Sequence, residues 1–192
     1  PVDEDVFLLG MISRMSDQKG FDLVACVLEE LLQRENLQMV VLGSGEERYQ
    51  NMFRYFSYHN PQRLSATIGY SEELAHKIYA ACDGFLMPSL TEPCGLCQLI
   101  SLRYGTVPIV RETGGLRDTV TPYNKYLDTG TGFSFANYNA HEMKDAVLLA
   151  MDMFYHQKEE WEKLMARGME ADFSWKSSVA EYRELYRMLS ES

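Results

Sequence analysis

Short apolar runs alternate with helix-patterned segments along nearly the whole chain, and this constrains the fold more than any other feature. The runs at 6–12, 39–42, 66–69, 84–88 and 107–110 are mostly apolar throughout rather than alternating with polar residues. A strand with one wet face alternates, whereas a strand covered on both faces does not. Between the first two runs, Phe21 to Leu32 repeats apolar residues at helical spacing and leaves Glu29 and Glu30 on a wet face. A second helix is expected from about Glu46 to Tyr58. Ser71 caps a third through about Ala81, with Glu73 near its first turn, and a fourth starts near Gly95. Gly132 to Phe135 reads as a sixth short strand. From Asn139 the pattern is helical, with breaks near Tyr155 to Gln157 and near Phe173-Ser174. The expected fold is a doubly wound parallel α/β sheet, Rossmann-like, of about six strands with helices on both faces. One domain over 1–192 is expected, with 155–192 as a helical C-terminal appendage.

Size and charge narrow the function. A chain of 192 residues holds one well-packed domain. No apolar run reaches the roughly 18 residues of a membrane span. The start lacks both the basic region of a signal peptide and an initiator Met, as a piece of a longer protein would. A net charge of −10 argues against nucleic acid and anionic membrane as partners, but leaves room for a small anion held by local cations and amides. Cys26, Cys82, Cys94 and Cys97 read as reduced thiols of a cytoplasmic protein.

Ligands of such sheets bind where strands deliver the chain to helices. The loop after the first strand holds Arg14 and Lys19, five positions apart. They suit a diphosphate clamp at a helix N-terminus, or a solvated loop in which Arg14 pairs with Asp17. After the fourth strand, Glu92 stands outside a helix opened by Gly95. The amides of Gly95, Leu96 and Cys97 would face an anion or sugar hydroxyls. Alternatively, Glu92 only complements a helix dipole. Gly114-Gly115 after the fifth strand could cradle phosphate or merely turn the chain.

Six segments in order carry a more specific resemblance. They are Arg14 through Gly20 (R-x-x-x-Q-K-G), Ile68-Gly69-Tyr70, Glu92 through Leu96, Tyr104 through Val110, Thr113 through Val120, and Asp172-Phe173-Ser174-Trp175. Together they resemble the C-terminal, nucleotide-sugar-binding domain of bacterial-type glycogen and plant starch synthases, which are retaining transferases built from two Rossmann-like domains (GT-B). The resemblance implies transfer of glucose from ADP-glucose to the 4-hydroxyl of an α-1,4-glucan. It implies that Arg14 and Lys19 hold the diphosphate and stabilise its departure, that Tyr70 stacks on the base, and that Glu92 bonds the donor glucose. The backbone at Cys94, Gly95, Leu96 and Cys97 would meet sugar and phosphate. Cations and amides can stabilise the departing diphosphate without a metal, so no metal and no cofactor are expected. The N-terminal domain that receives the glucan is absent from this sequence, so the chain alone is expected to bind donor without turnover. A stand-alone nucleotide-binding module and a related transferase using a UDP-sugar are the competing readings.

Some residues depart from the pattern or lie outside it. The position eight after Glu92, a second glutamate in many related transferases, is Ile100, as glycogen synthases permit. Cys97 replaces the usual small hydroxyl residue and creates a literal C-x-x-C with Cys94, which the synthase resemblance explains better than redox chemistry. Asp3-Glu4-Asp5 precedes the first strand, on the wrong edge for a metal beside the diphosphate, and is assigned to solvent. His59, His76, His141 and His156 read as surface residues. The tail rich in Met and aromatic residues, from Met151 to Met188, reads as core packing rather than a binding stripe, with some of it exposed where its partner domain is missing.

Overall fold

The computed structural model of the chain describes residues 3, 5–33 and 36–190. Six strands form one sheet: β1 (Phe7–Ile12), β2 (Leu37–Gly43), β3 (Leu64–Ile68), β4 (Gly84–Met87), β5 (Val107–Arg111) and β6 (Phe133–Phe135). All neighbours pair in parallel, in the order β3-β2-β1-β4-β5-β6. The connecting helices are α1 (Phe21–Leu32), α2 (Glu47–His59), α3 (Glu72–Ala81), α4 (Cys97–Tyr104) and α5 (Gly114–Thr119). Helices α6 (Ala140–His156), α7 (Lys158–Glu170) and α8 (Trp175–Ser190) follow β6. The sequence therefore located every strand to within two residues at its starting end.

The central strands are covered on both faces, which is why they read as continuously apolar, whereas edge strand β3 alternates and leaves Ser65 and Thr67 exposed. On one face, Phe21 and Leu28 of α1, Phe53 of α2 and Val147 of α6 close over Leu9, Met39 and Ile109. On the other, Ile78 and Tyr79 of α3 and Leu116 of α5 pack against Leu42, Phe85 and Val110. Each fully buried large side chain contributes about 1.5–3 kcal/mol. The cap at Ser71 forms as expected: its hydroxyl accepts the Leu74 amide at 3.2 Å. Asn139 likewise accepts the amides of His141 and Glu142 at the start of α6.

Two expectations need correction. The fourth helix begins at Cys97 rather than near Gly95, because Gly95 has φ +74 and a left-handed residue cannot enter a right-handed helix. The tail splits in two. Met151, Met153 and Trp161 are core, with Trp161 lying 5.9 Å from the Phe7 ring and 6.3 Å from that of Phe133. Tyr182, Tyr186 and Met188 are exposed, and α8 buries no residue at all. All four histidines lie exposed, as do Asp3 and Asp5, while Glu4 falls outside the described residues.

Candidate functional site

The strand order reverses at β1 and β4. The chain leaves β1 for β2 and β3 on one side, then crosses back to β4 on the other. The loops leaving these two strands diverge and open a crevice, the usual ligand position in this architecture. They are the loops that carry Arg14 with Lys19 and Glu92 with Gly95.

The first loop ends in a three-residue 3-10 turn, Asp17–Lys19, followed by Gly20 at φ +78. A Cβ at Gly20 would strike the Pro88 carbonyl, so only glycine lets the β1 and β4 loops meet this closely. Their contact is extensive. Leu90 donates its amide to the Gln18 carbonyl at 2.9 Å, and the Gln18 side chain reaches the Thr91 hydroxyl at 3.2 Å. Lys19 Nζ lies 2.6 Å from Glu92 Oε2, with only 22% and 11% of the two side chains exposed. Ser89 adds a hydroxyl donor to the same carboxylate oxygen at 3.2 Å.

Arg14 does not pair with Asp17. Its guanidinium donates to the Gln18 amide oxygen at 3.0 Å, which leaves its charge without a carboxylate partner among the described residues. Asp17 turns the other way. It accepts from the Tyr49 hydroxyl and from Arg48 of α2, and these bonds, Tyr49 first, hold its carboxyl below the usual range.

Beyond Glu92 the chain packs against the turn at Gly114-Gly115. Gly115 donates its amide to the Glu92 carbonyl at 3.0 Å. A Cβ on Gly114 would meet the Glu92 carbonyl, and one on Gly115 would meet that of Cys94. Close backbone approach between two loops explains this pair, a role that neither sequence reading, a phosphate cradle or a plain turn, had named. Gln98, fully buried, donates its amide to the carbonyls of Cys94 and Gly95 and to the Thr119 hydroxyl. The amides of Gly95, Leu96 and Cys97 make no hydrogen bond to any described residue, and they stand at the start of α4. Unsatisfied N–H groups at a helix start suit an anion or hydroxyl oxygens.

The crevice has two lobes that share Ile12, Ser13 and Cys97. One is lined by Lys19, Glu92, Gly95 and Leu96. The other is lined by Arg14, the backbone from Gly43 to Gly45, Gly69 and Tyr70. Tyr70 is 81% exposed at the mouth of the second lobe, an aromatic face on which no described residue stacks. Cys94 is exposed, whereas Cys97 is half-buried and burial pushes its thiol pKa up. A protonated thiol is a poor nucleophile, which disfavours a reactive dithiol. A second groove lies at the opposite edge of the sheet, near Leu8, Val40 and Leu64. Its half-buried carboxylate, Asp83, is already engaged by the Leu8 amide at 2.8 Å, and it lies away from the topological switch.

All eight residues singled out from sequence therefore line or adjoin one crevice. Sequence reasoning missed Gln98, Ser89 and Arg111, which hold the Glu92 loop. A charged residue ending an otherwise apolar strand at its carboxyl end, as Arg111 does, was the one legible signal among them.

The chain is similar to known proteins along nearly its whole length. A family model described as glycosyl transferases group 1 matches residues 1–164. A glycogen synthase of Lachnospira eligens is 63% identical over 187 residues, which is 97% of this chain and 39% of that protein. A glycogen synthase of Clostridium acetobutylicum is 53% identical over 186 residues, again 97% and 39%. The catalytic domain of starch synthase IV from Arabidopsis thaliana, solved bound to ADP and acarbose, is similar at TM-score 0.85 and 34% identity, over 97% of this chain and 39% of that one. The chain thus spans well under half the length of these relatives. With the family model covering most of its residues, the chain belongs to the glycosyl transferases group 1 family.

Proposed function

We propose that this chain is the donor-binding domain of a glycogen or starch synthase. Within a longer protein it would hold ADP-glucose while glucose passes to the 4-hydroxyl of an α-1,4-glucan with retained configuration. The observation that carries this reading is the Lys19–Glu92 pair at the topological switch, flanked by Arg14 and by three unbonded amides. The glycogen synthase relatives, and the starch synthase solved with ADP, support the choice of donor and acceptor.

Departure of a nucleoside diphosphate calls for positioned positive charge more than for covalent help. Arg14 and Lys19 supply that charge. Tyr70 offers its open face to the base. Glu92, next to Lys19, bonds the donor glucose and stabilises charge as the bond to the diphosphate breaks. The amides of Gly95, Leu96 and Cys97 meet sugar hydroxyls and phosphate, with Cys94 leading the chain into position. The glucan is received mainly by parts of the longer protein outside this chain, so the isolated chain binds nucleotide without synthesising glucan.

Calorimetric titration of the chain with ADP and with UDP tests this reading. Arg14→Ala and Lys19→Ala are each expected to weaken ADP by about tenfold or more, the scale of a charge-assisted hydrogen bond. Tyr70→Ala should weaken both nucleotides by about three- to tenfold, with Tyr70→Phe unaffected. Folded alanine variants at Arg14 and Lys19 that bind ADP like the parent would refute the clamp. Preference for UDP would reassign the donor to a UDP-sugar.

A further inference from the structure

The loops bearing Lys19 and Glu92 are joined from beneath by two residues that belong to no motif named above. Arg111 ends β5. Its Nε donates to the Ser89 carbonyl at 2.8 Å, another nitrogen reaches the Leu90 carbonyl, and a third lies 3.4 Å from that of Ala136. One guanidinium thereby holds the backbone two and three residues before Glu92. Its carbon also sits 5.7 Å from the centre of the Tyr138 ring. The Tyr138 hydroxyl lies between the Asp17 carbonyl oxygen, at 2.8 Å, and the Asp22 carboxylate. Asp17 opens the 3-10 turn that Lys19 closes.

That turn buries none of its own side chains. Its orientation must come from hydrogen bonds: Tyr138 on its backbone, Tyr49 and Arg48 on the Asp17 side chain, and the Leu90 amide on Gln18. A lysine is a flexible point charge, so where its ammonium stands depends on where its backbone is held. The guanidinium matters for the opposite loop, because a planar fork can take several carbonyls at once and an ammonium cannot match that geometry.

We propose that Arg111 and Tyr138 are positioning residues for diphosphate binding, Arg111 through the Glu92 loop and Tyr138 through the Lys19 turn. Together they hold the Lys19 ammonium where the second phosphate of the donor arrives. This inference rests on the donor-site reading above.

Its test is the preference of the chain for ADP over AMP, measured calorimetrically in Tyr138→Phe and Arg111→Lys. Both variants keep the core intact, and Tyr138→Phe keeps the ring under the guanidinium. Each is expected to reduce the ADP-over-AMP preference by about three- to tenfold, with AMP affinity within about twofold of the parent. In a Lys19→Ala background neither should change the ratio further, because the group they position is gone. An intact preference in both folded variants overturns the inference while leaving the donor site standing. Equal weakening of ADP and AMP also overturns it, since that marks a general structural loss. A parent chain that shows no preference for ADP removes the diphosphate clamp itself, and this inference with it.

Discussion

Replacing Glu92 with Gln should tighten ADP binding while lowering the stability of the empty domain. In the empty crevice Lys19 is committed to Glu92 at 2.6 Å, with most of both side chains out of solvent. A phosphate taking the other side of that ammonium would sit about 5–6 Å from the carboxylate, where two negative charges repel by about 3 kcal/mol at an effective dielectric of 20. The crevice is open to water and Lys19 stands between the charges, so the net effect is about 1 kcal/mol, or about fivefold in affinity. Glutamine keeps an acceptor for the Ser89 hydroxyl and removes only the charge. Without ligand, Lys19 then lacks its anion, which costs about 1 kcal/mol and lowers Tm by about 2–4 °C. Titration with ADP and a thermal melt of the same sample measure both quantities. General damage to the loop would move both in the unfavourable direction, so the opposite signs are diagnostic. ADP binding no tighter than in the parent, in a Glu92→Gln chain with unchanged circular dichroism, would refute the electrostatic reasoning. The gain should also vanish when Lys19→Met is added.

Other perturbations probe the scaffold. Gly115→Ala drives a methyl group into the Cys94 carbonyl, which is backbone and cannot yield cheaply; a loss of about 2–4 kcal/mol is expected in denaturant unfolding, and an unchanged midpoint would mean that the two loops are not in contact. Burial pushes the Cys82 thiol up from 9.0 to about 12. The folded chain thus keeps a proton that the unfolded chain loses, and this contribution to stability is full below about pH 9 and declines as pH rises toward 12. Cys82→Ala should flatten the alkaline fall of Tm relative to the parent, and parallel curves would contradict the burial.

The strands, their neighbouring helices and the convergence of Arg14, Lys19 and Glu92 were legible because they depend on local pattern plus one general rule. Continuous apolar runs separated by helices have few parallel arrangements open to them, and ligands gather at the carboxyl ends. The partner of Arg14 was not legible. A carboxylate three residues away is a reasonable local guess, but the 3-10 turn points Asp17 toward α2, where Tyr49 and Arg48 reach it from more than thirty positions along the chain. The tail was read by composition alone. Its first half found the core because Trp161 packs among the rings of Phe7, Phe133 and Phe154, and its second half, in α8, buries no residue.

Residue order alone was enough for the class of the fold and for the loops that meet at the topological switch. Apolar periodicity and glycine placement are local properties, and six motifs in series leave little freedom. Folding in three dimensions settled which groups hold which. It chose Gln18 for Arg14, Glu92 for Lys19, and Arg111 with Tyr138 beneath them. Those choices join positions as much as 121 residues apart. They depend on distances of a few tenths of an ångström between loops, which no spacing along a chain can specify.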